Sequence, residues 1–248
     1  RRHRGHRAPP PRSRSTAPRA PRAASEVSLD GTGRRPQAEG REKSRFVALA
    51  LAAAAEAVAD AGPGALGTEP ARRGVSIASG IGSLGDVCDA ALACDRGAKL
   101  SPFLVPRLLA NMAAGAVSLK HACEGPLQTS AAACAAGAQS IGDAYRAIQR
   151  GDADVVICGG AEACVDEVAV RGFARARALS SWTGPADAAA RPFDEARCGF
   201  VLAEGAACLV LEDAEAARNR GATAYAEVRG YGLSADAHHA TAPSPGGR

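Results

Sequence analysis

LQTSAAACAAGAQSIGDAYRAIQR, residues 127–150, changes period halfway along its length. Leu127 to Ala133 reads as a strand. From Ala135 to Arg150 the larger apolar side chains recur at helical spacing, with Ala138, Ile141, Tyr145 and Ile148 on one face and Gly151 closing the segment. Strand, sharp turn, helix is the inference, and Cys134 occupies the turn.

Working outward, the same alternation repeats. Upstream, FVALALAAAAEAVADAG (46–62) is apolar nearly all round and predicts a buried helix with a glycine cap at Gly62. Gly74 to Gly80 predicts a short strand and Leu84 to Cys94 a helix. After a turn bracketed by Pro102 and Pro106, Leu108 to Ala122 predicts a helix broken at Gly115. Downstream, Ala153 to Cys158 (ADVVIC) predicts a buried strand, Val165 to Ala174 a helix and Ala206 to Leu211 a strand. Ala214 to Arg220 predicts a helix and Tyr225 to Leu233 a last strand. Strands alternating with helices define an α/β layered fold.

Charge divides the chain differently. Residues 1–44 hold twelve basic and four acidic residues, a net +8, so the remainder carries −4 against a total of +4. The first stretch, RRHRGHRAPPPRSRSTAPRAPRAA, is of low complexity, has no acidic residue before Glu26, and predicts a disordered tail. An Arg- and Ser-containing, acid-free start also suits a mitochondrial transit segment, although its prolines oppose the amphipathic helix such a segment uses. The domain proper is expected over 45–248. Arginines set among prolines, without aromatics on a folded face, argue against nucleic-acid binding. No apolar run reaches the roughly 18 to 20 residues of a membrane span.

Eight cysteines, Cys88, Cys94, Cys123, Cys134, Cys158, Cys164, Cys198 and Cys208, include no C-x-x-C pair. The histidines are not spaced for zinc, so neither a metal site nor a cofactor motif is expected. Most of the thiols read as small buried hydrophobes. Cys134 differs in its position. A helix N-terminus carries unpaired N–H groups and a partial positive charge, which favours thiolate over thiol. From the residues alone, a cysteine in an alanine-rich turn fits a structural role as well as a nucleophilic one. An α/β-hydrolase elbow would want glycine two positions to either side, where Ala132 and Ala136 stand.

Six segments, in order, carry a resemblance. SPFLVPRLLANMAAG (101–115), EGPLQTSAAAC (124–134), GDADVVICGGAEAC (151–164), GFARARALS (172–180), RPFDEARCGFVLAEGAACLVLE (191–212) and YAEVRGYGLSADAHHATAP (225–243) resemble the β-ketoacyl-[acyl-carrier-protein] synthases. They are most similar to the mitochondrial and bacterial type II elongating enzymes. The resemblance runs from about Phe46 to the last residue and implies the N-terminal half of a thiolase-like, layered α-β-α fold. It aligns Cys134 with the family's acyl-accepting nucleophile and His239, not its neighbour His238, with the first of two catalytic histidines. It implies a decarboxylative Claisen condensation in fatty-acid biosynthesis, with acyl carrier protein as partner, a homodimer as assembly and no cofactor.

Elements the family places later, a second histidine, a lysine and a glycine-rich loop, have no counterpart here. This suggests a truncated chain that is poorly soluble or partly folded by itself. Ala132 stands where a hydroxyl residue is usual, Cys198 replaces an aspartate and Ala203 a glycine. Two rival readings follow: a non-catalytic partner subunit, which would usually lack the cysteine, and an inactive fragment. The GFARARALS and RPFDEARCGF segments point away from a coenzyme A thiolase.

Overall fold

The computed structural model describes residues 24–25 and 43–247. Most of the predicted basic tail over 1–44 therefore lies outside the described residues. The elements are β1 (Ala24–Ser25), α1 (Arg45–Asp60), β2 (Arg73–Ala78), α2 (Leu84–Asp95), α3 (Leu104–Leu108), α4 (Met112–His121), β3 (Leu127–Gln128), α5 (Ala136–Gln149), β4 (Val155–Glu162), α6 (Glu167–Arg175), β5 (Leu202–Ala203), β6 (Gly205–Glu212) and α7 (Ala214–Asn219).

Four strands form one open sheet in the order β3-β2-β4-β6. The first three run parallel, with Val75 opposite Leu127 and Ile157, while β6 closes the far side antiparallel to β4. β1 and β5 form a separate parallel pair. Successive side chains of a strand point to opposite faces, and the two cores divide accordingly. Val75, Ile77 and Ile157 pack with Phe46, Val47, Ala50 and Ala54 of α1 and with Ala113, Ala114 and Val117 of α4. Val156 and Cys158 face the other way, against Ala144 and Ala147 of α5. Helices therefore cover both faces, which is why the central strands read as continuous apolar runs. Alanines carry much of the α1–α4 contact, and their small side chains let the two backbones approach closely. Phe46, only 1% exposed, is the largest side chain in this core, and burying it stabilises the layer by about 1.5–3 kcal/mol.

Ser140, fully buried on α5, clasps helix to sheet. Its hydroxyl donates to the Ser76 carbonyl of β2 and accepts from the Gly159 N–H of β4 at 3.0 Å. At Gly159 (φ +154°) a Cβ would stand 2.0 Å from the Ala207 carbonyl oxygen, so the β4–β6 ladder requires glycine there.

Four sequence expectations are corrected. α4 runs unbroken through Gly115, whose N–H donates to the Asn111 carbonyl at 2.9 Å. Burial of Ala113, Ala114, Ala116 and Val117 outweighs the roughly 1 kcal/mol cost of a helical glycine. The interruption falls upstream instead, at Leu109, whose ψ of 124° is extended. β3 covers only Leu127–Gln128, because the chain then leaves the sheet and Ser130 donates to Asp143 of α5 at 2.6 Å. β4 continues beyond Cys158 to Glu162, held by β6 along its whole length. No strand forms over 225–233, since no described strand lies alongside to pair with it. Instead this segment lays Tyr231 against the outer face of α5, where its ring fills the space beside Gly142 and lies 4.9 Å from the Arg146 guanidinium carbon.

Candidate active site

The carboxyl ends of three neighbouring parallel strands, β3, β2 and β4, open on one side of the sheet. In open α/β sheets this is where sites form, because the turns leaving the strands there bring the following helix N-termini together. Cys134 sits on that side. It lies in a single 3₁₀ turn, Ala133–Ala135, that leads into α5, and it is exposed. Ala133 adopts φ +46°, a left-handed conformation that costs a non-glycine residue about 1–2 kcal/mol. That sharp reversal ends the extended chain and starts the helix within three residues. The Ala135 N–H closes on the Ala132 carbonyl at 3.0 Å and the Ala136 N–H on that of Ala133. At Gly160 the start of α5 rests on β4: a Cβ there would lie 3.4 Å from the Gly137 Cα. The predicted strand, turn and helix are thus realised around Cys134.

The other thiols contrast with it. All eight are free. Cys123, Cys158 and Cys164 are buried, as expected, and Cys208 is half-buried; Cys94, expected to be buried, is exposed on α2, a helix with no buried residue. Burial pushes the Cys158 thiol up to about 12 and those of Cys164 and Cys208 to about 11, so these remain protonated and inert at neutral pH. Cys198 moves the other way. Hydrogen bonds from Ser180 and then Ser181 hold its thiol below the ordinary range, and its Sγ lies 3.3 Å from the Ser180 hydroxyl. The side chain of Cys198 is thus hydrogen-bonded to that of Ser180.

His239 lies in an irregular, exposed segment. Its Nδ1 accepts the backbone N–H groups of Thr241 and Ala242, each at 3.1 Å. A ring nitrogen that accepts twice carries no proton, so the neutral ring holds its hydrogen on Nε2, which is left as a donor. Among the described residues no hydrogen bond joins Cys134 to His239. No group of three or more metal-ligating side chains occurs among them either, and none of their helices is long and apolar enough to cross a membrane.

The sequence reading passed over Glu162. Its carboxylate, at the end of β4, accepts the N–H groups of Gly80 and Ile81 at 2.8 Å each and that of Gly82 at 3.2 Å. The only trace in the sequence is an acidic residue at the end of an otherwise apolar strand, in GGAEAC.

With this geometry in view, residues 12–217 match the β-ketoacyl synthase N-terminal domain. The chain belongs to the β-ketoacyl synthase family. It is 49% identical over 211 residues to the mitochondrial 3-oxoacyl-[acyl-carrier-protein] synthase of Arabidopsis thaliana, covering 83% of this chain and 45% of the relative. It is 44% identical over 211 residues to 3-oxoacyl-[acyl-carrier-protein] synthase 2 of Staphylococcus aureus, covering 84% and 51%. A β-ketoacyl synthase crystal structure from Burkholderia phymatum superposes with a TM-score of 0.76 at 34% identity, covering 84% of this chain and 52% of that one. The chain spans about half the length of the curated relatives it matches. The fold is that of the thiolase-like ketosynthases, a mixed α/β structure with an open sheet.

Proposed function

We propose that the full-length protein is a β-ketoacyl-acyl-carrier-protein synthase of fatty-acid biosynthesis, of which residues 45–248 belong to the N-terminal domain, with Cys134 as acyl acceptor. The observation that carries the reading is an exposed cysteine on a left-handed turn at the N-terminus of α5, in a chain of this family. The Cys134 thiolate attacks the carbonyl of an acyl-carrier-protein thioester, the acyl group passes to sulfur, and the carrier thiol leaves. Malonyl-carrier protein then loses CO2. Its enolate carbon attacks the acyl-Cys134 thioester, forming the new C–C bond and releasing the cysteine thiolate. Splitting the reaction through a covalent intermediate replaces one difficult encounter with two easier ones.

Two sites of developing negative charge need donors. The enolate oxygen suits the Nε2–H of His239, whose tautomer the Thr241 and Ala242 amides select. The tetrahedral oxyanion at the acyl-cysteine suits backbone N–H groups at the helix start, that of Cys134 among them. Acyl carrier protein is the partner, in keeping with the names of the relatives. We also propose a homodimer and, from the acid-free start and the Arabidopsis relative, a mitochondrial location. The retained Cys134 disfavours a non-catalytic partner subunit.

Intact mass measurement after incubating the full-length gene product with an acyl-carrier-protein thioester tests the reading. A mass gain of one acyl group that disappears in Cys134→Ala is expected. No gain in the unmodified protein refutes it.

A further inference from the structure

We infer that Glu162 is a positioning residue for Cys134, acting through the loop that follows β2; the proposal rests on the reading of Cys134 as the acyl acceptor. The register of the sheet brings the parts together. Ala78, the last residue of β2, lies opposite Gly160 of β4, so the chain leaving β2 crosses directly above the end of β4. There a single carboxylate gathers the loop. Oε2 accepts from Gly80 and Ile81, and Oε1 from Gly82 and from the Ser79 hydroxyl at 3.3 Å. Ser79 adds a second restraint by accepting the Gly82 N–H at 3.0 Å. Three consecutive N–H groups aimed at one side chain form a concave nest that suits an anion.

The loop so fixed is the wall behind the nucleophile's turn. A Cβ on Gly80 would meet Glu162 Oε2 at 2.9 Å and the Ala133 carbonyl oxygen at 3.4 Å. Gly80 therefore lies between the carboxylate and the backbone of Ala133, tight against the carboxylate. Ala133 is the left-handed residue immediately before Cys134. A non-glycine residue persists in that conformation only when its surroundings over-determine it. Glu162 holds Gly80, Gly80 backs Ala133, and Ala133 aims Cys134. Among the described residues neither Glu162 nor Gly80 hydrogen-bonds the sulfur, and their effect is on orientation and not on substrate binding.

Glutamine at 162 tests this, because its amide must turn NH2 toward N–H donors in either orientation. In the full-length protein, two quantities are followed by mass spectrometry. One is the rate of Cys134 acylation against acyl-carrier-protein concentration. The other is iodoacetamide alkylation of Cys134 relative to the exposed Cys94. A misplacement of about 1 Å can cost on the order of 10²-fold in rate. Glu162→Gln is therefore expected to lower the maximal acylation rate roughly 10- to 100-fold at an unchanged half-saturating concentration, and to change the Cys134 to Cys94 alkylation ratio severalfold. Gly80→Ala, whose Cβ would stand 2.9 Å from Glu162 Oε2 and push the carboxylate off the loop, is expected to give the same split and decides the matter if Glu162→Gln does not fold. Wild-type maximal rate together with a wild-type alkylation ratio overturns the proposal. Absence of acylation in the unsubstituted protein refutes the condensing-enzyme reading alone, and the alkylation ratio then decides the positioning role by itself.

Discussion

The segment around Cys134 and the segment around His239 belong to one sequence family, yet only the first is held by regular secondary structure. Cys134 is placed by a strand, a turn and a helix that follow one another in the chain, and by two adjoining strands that meet them in the same sheet. His239 is placed by hydrogen bonds within its own loop, to Thr241 and Ala242, while residues 222–247 contain no helix or strand. A cysteine at a helix start can be placed by its own strand, turn and helix. A histidine in an irregular loop takes its wider position from whatever that loop packs against.

The contrast can be broken by substitution. Phe46→Ala, in the core shared by α1, α4 and the sheet, is expected to cost about 3–5 kcal/mol in denaturant unfolding. Ser140→Ala strands the Gly159 N–H and weakens the tie at Ser76, for an expected loss of about 1–3 kcal/mol. Tyr231→Ala, in the irregular segment, is expected to cost about 1 kcal/mol or less. It gives up packing on Gly142 and the contact with Arg146, and it also removes a buried hydroxyl that has no partner. A Tyr231→Ala loss as large as that of Phe46→Ala would make the two regions one cooperative unit. Limited trypsin digestion sharpens the point: cleavage at Arg229 is expected well before cleavage at Arg72 or Arg146.

The smallest effect concerns acid. The Arg72 guanidinium, with help from the Thr68 hydroxyl, holds the Asp154 carboxyl below the usual carboxylate range. A depressed folded-state value stabilises the protein above the unfolded value of about 3.9, and that contribution is lost as pH falls through the lower folded value. Asp154→Asn should therefore flatten the acid limb of a stability profile below about pH 4. The pair is more than a third exposed, so the change is small and screened by salt.

Several elements were legible in the residues themselves. The period change at Ala133 announced the turn and helix at Cys134, the apolar run at 46–62 announced α1, and the ordered motifs announced the family. Misreadings arose where an element's neighbours decide its form. Gly115 reads as a helix breaker in isolation, but Ala113, Ala114 and Val117 are buried against α1 and the sheet and hold the helix through it. Residues 225–233 have the composition of a strand, but a strand requires a ladder partner. The positive φ of Ala133 has no sign in a run of alanines, since no glycine or asparagine marks it.

By itself the sequence determined the α/β class, the family and the turn that carries Cys134, because hydrophobic period and motif order are properties of neighbouring residues. Only the tertiary structure decided how Cys198 is held and what stands behind Cys134. Those depend on groups far apart in the chain: Glu162 meets Gly80 across 82 positions because β2 and β4 lie side by side in register. Sheet pairing makes such neighbours, and no local pattern records them.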